Sequence, residues 1–247
     1  MKTLEICTGD PEGIQTAFEA GANRIELCSG LAEGGLTPSV AIIRFASELK
    51  KGSVNVLIRP RAGDFVYTPD EVKVMTDDIR SAMAAGASGI VTGALTPEGK
   101  VDVQACAAFI EAAGDGADST FHRAFDVTAD PCEALETIIG LGFKRILTSG
   151  QASSALEGAC LIAALRKQAR GRIEIMAGAG ICPENAAEIL RLTDADALHA
   201  SARSLKNSAM KTAATDATMG SADAADGSRM ATDYIKVNKL HNLINHL

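Results

Sequence analysis

Short apolar runs alternate with helical stretches along the whole chain. Proline stands at the predicted start of five of the helices, where its missing N–H is not needed. Eight of the apolar runs are rich in β-branched residues and alternate with period two, which predicts strands. These runs are Leu4 to Cys7, Arg24 to Cys28, Val54 to Arg59, Gly89 to Thr92, Thr120 to Ala124, Arg145 to Thr148, Ile173 to Met176 and Ala197 to Ala200.

Strict alternation of strand and helix predicts parallel strands joined by right-handed crossovers. Eight such units in 247 residues fit an α/β fold of the TIM (β/α)8 barrel type, with residues 1–202 as the barrel body. The alternative is an open doubly wound sheet, which would carry a glycine-rich dinucleotide turn after the first strand. The sequence Cys7-Thr8-Gly9-Asp10 lacks that turn, so we predict the barrel.

Residues 203–230 interrupt the pattern. The segment consists almost wholly of small and polar residues without an aromatic side chain, which predicts a flexible loop. An interaction role for this loop is the alternative to an unconstrained connection. Residues 231–247 are predicted to form a last helix that completes the barrel or makes an oligomer contact. Its apolar residues at three-to-four spacing are Tyr234, Val237, Leu240, Ile244 and Leu247.

Charge and cysteine content exclude several classes of protein. A net charge of −7 leaves no basic face that could neutralise a run of phosphates, so we expect no nucleic-acid partner. The chain shows no apolar run of the length that a signal peptide or a membrane span needs. Its six cysteines form no CxxC pair, which favours reduced thiols and a cytoplasmic location.

The strand period also predicts which side chains point into the barrel. Ile25 and Leu27 suit the exterior that the helices cover, so Arg24, Glu26 and Cys28 turn inward. Active sites of TIM barrels lie at the carboxyl ends of the strands. The same count places inside the barrel Glu5, Cys7, Asn55, Leu57, Arg59, Thr120, His122, Glu174 and Met176, with His199 as a candidate on the eighth strand.

Each inward polar residue has two interpretations. Cys7 and Cys28 are either small buried apolar groups or, as a pair on neighbouring strands, a functional thiol site. Glu26 either belongs with Glu5 to a structural network of ion pairs or acts in catalysis. His122 is either a hydrogen-bonded core histidine or a general acid and base.

Two loops suggest an anion site. Barrels commonly bind phosphate with backbone N–H groups of the loops after the seventh and eighth strands, although a short Gly-x-Gly can also serve only a tight turn. Arginines of the third strand and its loop could supply the compensating charge. The predicted anion-binding residues are Arg59, Arg61, Gly178, Gly180, Ser201 and Arg203.

Several ordered segments together resemble the CutC family, described as copper homeostasis proteins. They are Arg24 to Ser29, Glu33 to Ser39, Ile58 to Phe65, Phe121 to Asp126 and Ile146 to Gly150. The resemblance implies an incomplete or irregular TIM barrel, a cytosolic location and a homodimer or larger homo-oligomer. The chain departs from the family pattern at Ala62 and Ala179, where the family has glycine, and at Ala200, where some relatives have cysteine.

The resemblance implies Cu(I) binding or trafficking through cysteines, for which Cys7 and Cys28 are the candidate ligands. Cu(I) prefers soft thiolate and thioether ligands, and Met176 or His199 could assist. The alternative is an enzyme that acts on a small phosphate- or carboxylate-bearing substrate. In that case the catalytic residues are Glu26, His122 and Arg59, and the two loops hold the anionic group.

Overall fold

Eight parallel strands form a closed ring in which each strand pairs with the next and β8 pairs with β1. The computed structural model describes residues 2–209 and 228–245. The strands are β1 (Thr3–Thr8), β2 (Arg24–Leu27), β3 (Ser53–Leu57), β4 (Gly89–Thr92), β5 (Asp118–Phe121), β6 (Arg145–Thr148), β7 (Glu174–Ala177) and β8 (Ala197–Ala200). Every predicted run overlaps one of them, so the predicted TIM barrel is confirmed.

Helices follow the strands and cover the outside of the ring. They are α1 (Pro11–Glu19), α2 (Val40–Glu48), α3 (Pro69–Ala84), α4 (Val103–Ala113), α5 (Pro131–Gly140), α6 (Ala159–Ala169), α7 (Ala186–Thr193) and α8 (Tyr234–Asn245). Short 3-10 helices cover Leu31–Glu33 and Arg123–Val127.

Proline marks three of the five helix starts at which the sequence predicts it. Pro11, Pro69 and Pro131 are first helical residues, and each follows a side chain that caps the helix. The predictions for Pro38 and Pro183 were wrong, because α2 begins only at Val40 and α7 only at Ala186. In both places the proline lies in the loop before the helix.

The period-two pattern turns alternate strand side chains toward two different regions, the core under the helices and the inside of the ring. Outward residues such as Ile25 and Leu27 belong to the large apolar core between strands and helices. Inward residues such as Cys7, Cys28 and Leu57 form a separate small cluster within the ring. The predicted facing of the strands is therefore confirmed, and it turns the polar inward residues toward one another.

The segment 203–230 begins and ends in regular structure. We expected a loop throughout, but Arg203–Asn207 (β9) pairs antiparallel with Ser228–Thr232 (β10). Strand pairing uses backbone hydrogen bonds and needs no apolar side chain, which explains why composition did not reveal it. Lys206 and Arg229 form ion pairs with Glu12 of α1. Residues 210–227 lie outside the described part of the chain.

The last helix takes the eighth position around the barrel. Val237, Leu240 and Ile244 of α8 are buried, and α8 packs against β1, α1 and α7. Of the two roles predicted for it, completion of the barrel is the one that these contacts show. The β9–β10 hairpin between β8 and α8 is the irregular feature of this barrel.

Candidate functional site

A cavity of about 320 Å³ opens at the carboxyl ends of the strands. Local alternation turns these side chains inward, and closure of the ring brings them together although they are far apart in the sequence. The predicted site residues that line the cavity are Cys7, Glu26, Arg59, His122, Gly180, Ser201 and Arg203, and His199 joins them. Cys28 lies beside Cys7, completely buried.

Two predicted anion-binding residues are not brought into this cavity. Arg61 Nε lies 2.5 Å from Glu71 Oε1, and Arg61 Nη2 lies 3.1 Å from Asp64 Oδ1, on the outer loop. Gly178 directly follows β7 and is closely packed, since an added Cβ would approach Leu147 Cδ1 to 2.5 Å. The cavity wall is formed instead by the next residues of that loop, Ala179 to Ile181.

The two thiols are in direct contact. Cys7 Sγ and Cys28 Sγ are 3.3 Å apart, because Cys7 pairs with Glu26 in the β1–β2 register and Cys28 follows two residues later on the same face. The hydrogen bond with Cys28, burial and the negative charge of Glu26 raise the pKa of Cys7 well above its usual value. Without a bound cation the Cys7 thiol is therefore protonated at neutral pH.

His199 lies between two carboxylates next to the thiols. Its Nδ1 is 2.8 Å from Glu5 Oε1, and its Nε2 is 3.8 Å from Glu26 Oε2. Ligand atoms of Cys7, Glu26 and His199 all lie within 4.8 Å of one another. This group of three could hold a metal ion.

The same charges shift the pKa values of the cluster. Burial opposes the charged form of His199, but Glu26, Cys7 and Glu5 together outweigh burial, and the pKa of His199 rises well above 6.5. Burial likewise raises the pKa of Glu26. For Glu5, the charge of Arg24 and the contact with His199 outweigh burial and lower the pKa to about 2.

A layer of ion pairs lies next to the cluster, toward the amino ends of the strands. Arg24 pairs with Glu5 and lies 3.5 Å from Glu174, which Arg145 Nε approaches to 2.8 Å. Arg24 Nη2 also donates to Met176 Sδ at 3.5 Å. Glu5 therefore belongs to a structural network, as one interpretation held, and Met176 packs within this layer and is not among the residues that line the cavity.

Arg59 connects the loops around the cavity. Its Nη1 donates to the carbonyl oxygens of Glu33 at 2.9 Å and Gly35 at 3.2 Å, and its Nη2 donates to Gly63 O at 2.8 Å. The guanidinium also stacks on Phe65, 5.2 Å from the ring centre. Both terminal nitrogens are thus used to hold backbone, which the sequence could not reveal.

His122 is a neutral buried histidine. Its Nδ1 accepts a hydrogen bond from the backbone N–H of Ala124 at 3.2 Å, so the ring proton is on Nε2. Burial and the charge of Arg59 lower the pKa of His122 to about 3. At neutral pH the ring therefore offers the cavity a hydrogen-bond donor.

Arg123 is a cavity residue that the sequence argument did not select. Its Nε lies 2.7 Å from Asp126 Oδ2, and it lines the cavity beside His122. Asp126 also accepts from the backbone N–H of Ser149 at 3.0 Å. The sequence signal that could have found it is the short spacing of His122, Arg123 and Asp126 after β5.

Comparison with known proteins points to one family. The model of the CutC family matches residues 2–204. The human copper homeostasis protein cutC homolog is 44% identical over 245 residues, which are 99% of this chain and 89% of the human protein. A CutC family protein of Pasteurella multocida is 44% identical over 95% of each chain.

The chain belongs to the CutC family.

The crystal structure of a CutC protein from Streptococcus agalactiae shows the same architecture. It has a TM-score of 0.77 and 35% identity, and the match covers 81% of this chain and 99% of that one. No helix in residues 2–209 or 228–245 is long and apolar enough to cross a membrane.

One departure from the CutC pattern has a visible consequence. Ala179 adopts φ of 81°, and Gly180 after it adopts 72°, so an alanine occupies left-handed backbone at a position where the resemblance predicts glycine. Such a conformation costs a residue with a Cβ about 1 kcal/mol. Ala200 is buried beside His199 and lines the cavity.

We expect His122 to make the stability of this CutC protein depend on pH. Its pKa of about 3 lies below the ordinary 6.5, so below pH 6.5 the unfolded chain binds a proton that the folded chain does not. The contribution of His122 is lost as pH falls, by about 2 kcal/mol between pH 7.5 and 5. Urea unfolding at both values checks this.

The His122→Asn variant removes the titration and keeps an acceptor at the position of Nδ1. Between pH 7.5 and pH 5 its free energy of unfolding should fall by about 2 kcal/mol less than that of the wild type. His241→Asn on α8 removes a histidine that does not line the cavity and serves as the control. Equal slopes for wild type and His122→Asn would contradict the prediction.

Proposed function

We propose that this protein binds Cu(I) as cargo through Cys7 and Cys28. The observation that carries the proposal is the contact between the two sulfur atoms, 3.3 Å apart, with Cys7 on the wall of a cavity that opens to solvent. Two thiolates in this arrangement can hold one Cu(I) in a low-coordinate site. The thiols require a reducing compartment, so we propose a cytoplasmic location.

The donor set fits Cu(I) and supplies a third ligand. Glu5 engages His199 Nδ1 at 2.8 Å, which leaves Nε2 on the side of Glu26 and Cys7. A carboxylate that holds the far nitrogen of a ligand histidine is a common second partner in metal sites, where it fixes the orientation of the ring. We therefore propose His199 as the third ligand, whose Nε2 gives up its proton when Cu(I) binds.

The charges around the thiols favour a bound metal ion over free thiolates. Cys28, burial and Glu26 raise the pKa of Cys7, so this thiol keeps its proton in the empty site. Cu(I) must displace thiol protons on binding, and its positive charge offsets both the thiolates and Glu26. The carboxylates that oppose free thiolates thus favour the metal complex.

An anaerobic titration of the reduced protein with Cu(I), against a chromogenic Cu(I) chelator, tests the proposal. We expect one tightly bound Cu(I) per chain and sulfur in its first coordination shell by X-ray absorption. A coordination shell of oxygen and nitrogen alone would overturn the thiol site. Sedimentation of the apo and loaded forms tests the homo-oligomer that the family resemblance implies.

A further inference from the structure

Three buried N–H donors without an acceptor gather at the same cavity. Arg59 Nε, His122 Nε2 and Arg203 Nε are buried and have no hydrogen-bond partner among the described residues, and all three residues line the cavity. Arg145 Nε, the other buried nitrogen of this kind, lies 2.8 Å from Glu174 Oε1 and so has an acceptor. Buried donors of native proteins are nearly always paired. The three N–H donors named here belong to residues of one cavity, whereas the hydroxyls of Ser47 and Tyr67, which also lack a partner, do not line it.

Two of the three side chains, Arg59 and His122, are held in position by their other hydrogen bonds. Arg59 donates through both terminal nitrogens to loop carbonyls, which fixes the direction of its Nε. The Nδ1 of His122 is engaged by Ala124, which fixes the side of the ring that carries Nε2. Arg203 is the first residue of β9 and pairs with Thr232. Preformed donors of this kind are typical of a binding site.

The charge around the cavity is positive. Arg59, Arg123 and Arg203 line it, of which Arg123 is paired with Asp126, whereas Glu26 is the single carboxylate among the described lining residues. Glu26 faces His199, whose Nε2 is 3.8 Å away, and its charge is thus offset. A surface of this charge favours the binding of an anion.

Part of the wall is apolar. Leu57, Phe65, Leu147 and Ile181 line the same cavity, and its volume of about 320 Å³ is in the range of small-molecule sites. An inorganic ion would leave this surface wet, whereas an anion with a short hydrocarbon body would cover it. The wall therefore favours an organic ligand.

We propose that the cavity binds a small organic oxyanion whose carboxylate or phosphate oxygens accept hydrogen bonds from Arg59 Nε, His122 Nε2 and Arg203 Nε. The apolar body of the ligand packs against Leu57 and Phe65. This site uses none of the three proposed copper ligands as donors. It is therefore a second binding function of the cavity and does not depend on copper.

Calorimetric titration of the metal-free, reduced protein tests the site with three probes that share one hydrocarbon body: butyrate, monobutyl phosphate and 1-butanol. We expect at least one of the two anions to bind with a Kd of about 1 mM or tighter and 1-butanol not to bind. The anion with the higher affinity identifies the head group. Absence of saturable binding by both anions at about ten times that concentration overturns the proposal.

Two variants locate the binding. His122→Asn keeps an acceptor for Ala124 but lacks the Nε2 donor, and Arg203→Gln removes the charged donor at the rim. Each should weaken the anion by about tenfold or more. Arg166→Gln removes the same charge at Asp196, where Arg166 Nη2 lies 2.9 Å from the carboxylate, and should bind like the wild type. Equal affinities in all three folded variants would show adventitious binding and overturn the assignment.

Discussion

Replacing Cys7 and Cys28 together by serine is expected to lower the affinity for Cu(I) by about a thousandfold, or ~4 kcal/mol. The hydroxyl is a hard ligand with little affinity for Cu(I), and both soft ligands of the proposed site are lost. The remaining donors, His199 and Glu26, cannot replace them. Competition with a Cu(I) chelator under anaerobic conditions measures the change.

The matched control is the Cys132→Ser/Cys160→Ser variant. Both cysteines are exposed and lie on helices, so the variant keeps the same number of thiols as the test variant but spares the inward pair. We expect it to retain the affinity of the wild type. If it loses affinity for Cu(I) and the Cys7→Ser/Cys28→Ser variant does not, copper binds at the surface and the proposed function is wrong.

Arg24→Met should destabilise the barrel by about 3–5 kcal/mol, since the variant leaves a buried charge without its partner. The Glu5 side chain is fully buried and pairs with Arg24, and Arg24 also reaches Glu174 at 3.5 Å. A methionine fills the space of the arginine stem but provides no charge. Urea unfolding at neutral pH measures the loss.

The dependence of this loss on pH identifies Glu5 as its cause. In the wild type the pKa of Glu5 is about 2, below the ordinary 4.5. Its stabilising contribution is therefore complete above pH 4.5 and is lost as pH falls toward 2. In Arg24→Met the carboxyl protonates more readily, so the difference from the wild type should shrink in acid. Arg24→Met/Glu5→Gln should recover part of the stability, and no recovery would contradict this explanation.

The strand pattern was sufficient to predict the fold and the inward residues. Side chains alternate strictly between the faces of a strand, so an outward Ile25 implies an inward Glu26 whatever lies beside it. In the same way Cys7, Arg59 and His122 could be assigned to the interior of the barrel. The hairpin of β9 and β10 could not be predicted, because its pairing depends on backbone and on ion pairs with α1.

The partners of the inward residues required the tertiary structure. Arg59 and Arg61 are two residues apart and looked equivalent, yet Arg59 binds loop carbonyls at the cavity and Arg61 binds Glu71 outside it. His199 and Glu5 are 194 positions apart and meet only because β8 pairs with β1. The conformation of loops and the register between strands decide such contacts.

By itself, the sequence determined the barrel, the direction of each inward side chain and the membership of Cys7 and Glu26 in its interior, because these follow from a local period of two residues. Only the tertiary structure decided that the two sulfurs touch, that His199 lies between Glu5 and Glu26, and that three N–H donors at the cavity lack acceptors. These are relations between distant segments, and closure of the ring sets the distances between them.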